Sequence, residues 1–470
     1  MRSFISENHS LIQFNWLFII ITVLLSVYLV PIVLGFIPTN SIPKVLGLLV
    51  VIAILTIILV SQPKIAGPII VISVFFSPDI VVAQIPGRDV NLRIEDAIIV
   101  SALLGSFIRH IINKEQIFER TPLDIPILIY CAAGFISTLL GVISGRVTLL
   151  TGVFFFGKRV EYFILFYLLY RCLEGEKELK FTLYLAFICA IGVSVYGIYM
   201  RMTGGQEQWR AYSPLGGDTR VTEYAEMLVL IVPVMIAIAF EKRSFKYILP
   251  LPVVLFFMIF FLADTLRRVA MVGIAVAILF LAIYKYLALL PLMAIFAIYF
   301  RIKLPENIVE RINFLWLEVS QFVSTGTFVQ GGSLAERVTG VKEAVANWVY
   351  HPFIGRGLGS YLLSSNVAHD QYALMVTETG ILGLGAFFWL LFSIVKLCWN
   401  GTKNRDNSLY RGLSIGFLAG ILGWLIMNLG AISFTSIRTM NCFIIVTAIF
   451  VAFSRVINKE HFVSFGENNE

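Results

Sequence analysis

Five arginines and one histidine are the residues of this chain whose types and places could do chemistry. Arg210 and Arg220 bracket the segment R-A-Y-S-P-L-G-G-D-T-R, Arg267 and Arg268 stand in tandem after Asp264, and Arg337 lies in a long polar stretch. A guanidinium stays charged at any working pH and grips phosphoryl oxygens in pairs, so fixed arginines suit a pyrophosphate. The same side chains could instead form salt bridges to Asp218, Glu223, Asp264 or Glu336, as charges at a membrane edge often do. His369, in V-A-H-D-Q-Y-A-L-M-V-T-E-T-G, offers a neutral imidazole that could take a proton from an attacking hydroxyl. A lone loop histidine is more often a hydrogen-bonded bystander. His351 begins H-P-F-I-G-R-G-L-G-S-Y, which reads as a turn after a helix, with a structural role for the histidine. The G-R-G-L-G run at 355 to 359 follows a helix and lacks a third spaced glycine, so it is not a dinucleotide fingerprint. Five cysteines without C-x-x-C spacing indicate neither a disulfide framework nor a zinc site, and no metal or cofactor is expected.

The elements that must position these residues belong in lipid. Of 470 residues, 58% are hydrophobic and 14% charged, and the mean hydropathy is +0.87. A single soluble core could not bury so much apolar surface. Apolar runs near 16 to 36, 45 to 61, 65 to 83, 95 to 112, 124 to 144, 152 to 171, 181 to 200, 223 to 240, 247 to 263, 269 to 285, 286 to 300, 372 to 397, 411 to 431 and 439 to 456 predict an all-α polytopic membrane protein. The expected count is about 12 to 14 helices, because Pro68 and Pro78 interrupt one run and the pair around Lys285 is tight. No A-x-A site follows the first run, which is read as a retained helix.

The formal charge of +7 follows from basic loops and not from nucleic-acid binding. With the N-terminus inside, the even-numbered links hold Lys64, then Arg109, Lys114 and Arg120, then Arg171, Lys177 and Lys180, then Lys242, Arg243 and Lys246, then Lys403, Arg405 and Arg411. The same parity places 84 to 94, 201 to 222, 264 to 268 and 301 to 371 outside the cytoplasm, and both termini within it. The stretch 301 to 371 separates N-terminal helices (1–300) from C-terminal helices and a tail (372–470). Within it, Ile308, Ile312, Leu315, Val319 and Phe322 predict one helix opened by Pro305. Ser333 and Glu336 have the spacing of a capping box for a second, which must stop before Pro352. The chain shows no internal repeat. Its ionisable residues gather at the outer edge, a pattern of surface chemistry more than of a transporter with related halves.

Four segments resemble the O-antigen ligase and polymerase superfamily of bacterial envelope glycosyltransferases. They are D-T-L-R-R-V-A-M-V-G, R-V-T-G-V-K-E-A-V-A-N-W, P-F-I-G-R-G-L-G-S-Y, and H-D-Q-Y with E-T-G-I-L-G-L-G-A-F-F, spread over roughly residues 200 to 400. The resemblance implies a metal-independent, inverting transferase in the bacterial cytoplasmic membrane. Its donor would be an undecaprenyl-diphosphate-linked glycan, used on the outer face. Arg268 or Arg267, with Arg337, would bind the donor diphosphate, Arg210 or Arg220 would add a contact, and His369 would activate the acceptor hydroxyl. Tyr372, Asp370 and Glu378 would support the site. The family has Asn where this chain has Asp370, and Ser where it has Arg267. A polymerase joining lipid-linked repeat units is the expected activity, with a chain-length regulator as a further partner. A ligase acting on lipid A core is the alternative, and a lipid-linked sugar transporter the rival from another class.

Overall fold

The computed structural model describes residues 42–77, 80–85, 88–114, 119–203, 218–244, 249–265, 267–291, 293–294, 306–326, 333–361 and 370–467. In chain order its helices are α1 (Ile42–Ser61), α2 (Ala66–Phe76), α3 (Ile94–Asn113), α4 (Asp124–Ile143), α5 (Leu149–Cys172), α6 (Glu176–Thr203) and α7 (Asp218–Lys242). They continue as α8 (Leu251–Asp264), α9 (Arg268–Tyr284), α10 (Glu306–Thr325), α11 (Ser333–Tyr350), α12 (Gln371–Thr402), α13 (Ser408–Met427) and α14 (Ile437–Glu467). Six of them, α4, α6, α7, α12, α13 and α14, are long and apolar enough to cross a membrane. Ile52–Ser61 and Pro63–Phe76, bent by 118°, make a seventh span if taken together, and Leu251–Leu262 and Arg268–Tyr284 are shorter apolar helices. This is the architecture of a multi-pass helical membrane protein. The expected span at 16 to 36 lies outside the described residues, as do 292 and 295–300 of the span expected at 286 to 300.

One detail departs from an all-α chain. The span expected at 65 to 83 stops as a helix at Phe76, and an antiparallel hairpin, β1 (Ile80–Ile85) paired with β2 (Arg88–Leu92), takes up its last residues and most of the loop expected at 84 to 94. The run I-V-V-A-Q-I has the β-branched content of a strand, and Pro78 ends the helical run before it. The two helices expected in the long polar stretch appear as α10 and α11, the second ending at Tyr350.

The bundle is tightest where α13 meets α7. Gly412, Gly416 and Gly420 recur every four residues, so they share one face, and each lies against the backbone of α7. A Cβ on Gly412 would come within 2.7 Å of Ile238 Cα, and one on Gly420 within 3.2 Å of Leu230 Cα. In lipid, apolar side chains gain nothing by meeting one another instead of acyl chains, so close backbone approach of this kind holds helices together. Ion pairs stand at both ends of α7. Glu226 and Glu241 lie on the same helix, about 22 Å apart by helical rise. At one end Glu226 meets Arg267; at the other Glu241 meets Lys285 and Arg411.

Candidate functional site

Helix α12 starts at Gln371 because Asp370 caps it: Asp370 Oδ1 accepts from the backbone N–H groups of Tyr372 (2.8 Å) and Ala373 (2.9 Å). Asn caps equally well, so the Asp in place of the family's Asn keeps this local function. Gln371 is fully buried and clamps the helix start to the turn at 428–435. Its N–H donates to Asn428 O (3.0 Å), its Oε1 accepts from Phe434 N (3.1 Å), and its Nε2 donates to Thr435 Oγ1 (3.1 Å). Tyr372 donates its hydroxyl to Leu425 O (2.7 Å) and stacks on Phe388. The hydroxyl bond fixes α12 on α13, and the stack lies within α12, across its break at Gly380. His369, directly before this clamp, lies outside the described residues.

The same turn reaches the arginine pair. Ser433 Oγ donates to Glu226 Oε2 (2.8 Å), and Arg267 Nη2 donates to Glu226 Oε1 (2.9 Å). Trp424 Nε1 donates to the Glu226 carbonyl (2.8 Å), fixing the backbone that carries the carboxylate. Arg267 is the N-cap of α9 and is engaged in this buried pair; its partner is Glu226 and none of the four acids expected. Arg268, the first residue of α9, is half-buried, and its Nη1 is shielded from solvent without a hydrogen-bond partner among the described residues. Of the two adjacent arginines, Arg267 is held in an ion pair, and Arg268 Nη1 has no hydrogen-bond partner among the described residues. Arg220 and Arg337 lie near the starts of α7 and α11 and are described at the backbone only, while Arg210 lies outside the described residues. Helix α11 packs on the first half of α12, where Thr377 donates its hydroxyl to Ala344 O (3.3 Å).

Glu378 has a different role from the others. Helix α12 is broken at Gly380 (φ +65°, ψ −169°), and the P-F-I-G-R-G-L-G-S-Y segment docks into the break. Ile381 N donates to Pro352 O (2.9 Å), Leu382 N to Phe353 O (3.2 Å), Arg356 N to Thr377 O (3.0 Å) and Gly357 N to Glu378 O (2.9 Å). The segment thus satisfies peptide groups that the break would leave unpaired. Glu378 Oε1 accepts from Gly359 N (2.9 Å) and Tyr361 N (3.4 Å), so its carboxylate folds the segment onto the helix. A Cβ on Gly355 would fall 2.5 Å from the Glu378 backbone, and one on Gly141 2.5 Å from Arg356 O. The glycines here serve close approach and positive φ, at +78° for Gly355. His351 begins this turn and accepts from Gly355 N (3.0 Å) through its carbonyl. Partial burial, with Arg146 and Arg356 beside it, holds its imidazole below the usual pKa.

A group that the sequence reading passed over lies beside Glu378. Lys158 and Arg159, with Phe154, Phe155, Tyr162 and Thr435, line a narrow recess, about 410 Å³ with its open mouth and the gaps between its side chains. Lys158 Nζ pairs with Asp96 (2.9 Å) and Glu161 (2.8 Å), and Arg159 lies over the Tyr130 ring, 4.6 Å from its centroid. These charges stand about 15 Å from the start of α5, within what reads as an apolar span. The signal was present: three charges in F-F-F-G-K-R-V-E-Y-F are costly in lipid unless paired or working. Nearby, the buried Arg438 donates to Ser77 O (2.6 Å) and Tyr224 Oη (3.2 Å), tying α14 to the end of α2. Among the described residues, no three His, Cys, Asp or Glu side chains are grouped to hold a metal ion. No protein-family model matches the chain, and no curated protein matches it.

Proposed function

We propose that the chain is a membrane glycosyltransferase that polymerises undecaprenyl-diphosphate-linked repeat units on the outer face of the bacterial cytoplasmic membrane. Both termini lie in the cytoplasm in this reading. The observation that carries it is that Arg268 Nη1, beside the Arg267–Glu226–Ser433 network, has no hydrogen-bond partner among the described residues, since that network also reaches the clamp that seats the helix following His369. Arg268 and Arg337, with Arg210 or Arg220, hold the donor diphosphate. His369 removes the proton of the acceptor hydroxyl, whose oxygen attacks the anomeric carbon as the bond to the lipid diphosphate breaks, with inversion. Fixed guanidinium groups stabilise the charge that develops on the leaving phosphate, and no metal ion is required for that step.

The test is transfer by purified protein from a lipid-diphosphate-linked repeat unit in EDTA without nucleotide sugar. A ladder of longer lipid-linked glycans is expected. His369→Ala should reduce it by about 10²–10⁴-fold and Arg268→Ala by about 10²–10³-fold. Transfer to lipid A core without a ladder would instead identify a ligase. A second reading, a transporter of lipid-linked sugars, is favoured by the Lys158–Asp96–Glu161 cluster within the bundle, because transporters place ionisable groups at such depth. Movement of labelled lipid-linked sugar across vesicles without any transfer would establish it.

A further inference from the structure

The end of the bundle opposite the candidate site carries a recess that the proposed transferase reaction does not use. It is about 1030 Å³ including its open mouth and is lined by Glu241, Arg243, Lys285, Tyr286, Leu287 and Arg411. Its charge is unbalanced. Glu241, buried at the end of α7, receives Lys285 Nζ, Arg411 Nε (2.5 Å) and the Tyr286 hydroxyl (2.7 Å), so among the described residues that line the recess a single carboxylate faces three cations once Arg243 is counted. The excess of two positive charges opens to the surface. Arg243 is exposed, and it follows the last residue of α7 with φ +48°, the left-handed conformation in which a helix commonly ends and which glycine or asparagine adopts more easily.

The surroundings of the recess set its depth in a bilayer. Tyr284 and Trp399, both exposed, lie with ring centroids 5.9 Å apart one residue before Lys285 and at the end of α12. Exposed aromatic residues of this kind collect at the level of lipid headgroups. On either side of Lys285, Ile283 and Leu287 are 68% and 66% exposed, apolar surface of the sort that acyl chains cover. Cations in an open recess at headgroup level, flanked by apolar surface, match the two parts of an anionic phospholipid.

We infer that this recess binds the phosphate headgroup of an anionic phospholipid, with Arg243 and Lys285 as its contacts and Arg411 held in place by Glu241 to complete the positive field. The site is independent of the proposed transferase activity and lies on the side to which the basic loops assign the cytoplasm.

The experiment is native mass spectrometry of the full-length, delipidated protein in detergent, titrated with phosphatidylglycerol, phosphatidylcholine of matched chains, or inorganic phosphate. Phosphatidylglycerol should bind at least about twenty-fold more tightly than phosphatidylcholine, and Arg243→Gln should remove about five-fold of that preference. Arg243→Lys should keep most of it, because the charge is retained, and as an exposed position it leaves folding intact. Lys285→Gln in the Arg243→Gln background should abolish the preference. Equal binding of the two lipids, or a preference untouched by Arg243→Gln, would overturn the inference. Inorganic phosphate that binds as tightly as phosphatidylglycerol and displaces it would overturn the lipid assignment too, by showing that acyl contact contributes nothing.

Discussion

At the scale of single residues, the two arginines that open α9 should separate in experiment. Arg267→Ala leaves Glu226, 3% exposed, without its ionic partner. The expected loss is about 2–3 kcal/mol, below that of a wholly buried pair because Arg267 keeps some solvent contact. Arg268→Ala breaks no bond among the described residues and should change stability by no more than about 0.5 kcal/mol while removing transfer. Unfolding of both variants in detergent, set beside their transfer rates, checks the assignment; the opposite ordering of stabilities would refute it. Asp370→Asn should be nearly neutral for stability, whereas Asp370→Ala should cost about 1 kcal/mol with the loss of the α12 cap. The sequence named both arginines but could not rank them. Glu226 is 41 positions from Arg267, and only the pairing of α7 with α9 makes it the partner. Lys158, Arg159 and Glu161 were legible as charges inside an apolar run, yet their partner Asp96 belongs to α3 and could not be inferred from spacing.

At the scale of elements, the break in α12 is the feature to probe. Gly380 has a positive φ, and a Cβ there would run into the Phe353 carbonyl, so Gly380→Ala should destabilise the protein by about 3 kcal/mol or more and release the 352–361 segment. Gly385, five residues on in regular helix, has open space around its Cβ position, and Gly385→Ala should stabilise by up to about 1 kcal/mol. Thermal unfolding of the two variants side by side decides whether the break or glycine content in general matters, and similar effects of the two would argue against a built break. A boundary was readable at Pro352, but the docking was not. It depends on Gly355 and Gly141 meeting backbone far away in the chain. The seam between α7 and α13 was more open to reading, since G-L-S-I-G-F-L-A-G shows glycine at every fourth residue, the spacing that lets helices approach in lipid. Hydropathy reading treats such a run as one more span and misses the partner face.

At the scale of the whole molecule, the placing of ion pairs at both ends of α7 bears on how the chain crosses the membrane. Ser144, at the end of α4, lies beside Gly141, which packs against the 352–361 segment; that segment is docked into the first half of α12. Lys403 follows the other end of α12, so Ser144 and Lys403 stand at opposite ends of the bundle. The distribution of basic loops assigns the Lys403 end to the cytoplasm, and the ion pairs there, Lys64 with Glu178 (3.2 Å) and Arg411 with Glu241 (2.5 Å), join elements on that side. Ser144→Cys and Ser324→Cys should therefore react with a membrane-impermeant maleimide in intact cells, and Lys403→Cys only after permeabilisation. Both serines are exposed, and the substitution is nearly isosteric. Four of the five native cysteines are buried, which keeps background labelling low. Labelling of Lys403→Cys from outside, with Ser144→Cys protected, would invert the topology. It would turn the Arg268 end towards the cytoplasm, where a glycan carrier displayed on the outer leaflet could not reach it, and the transferase proposal would fall with it.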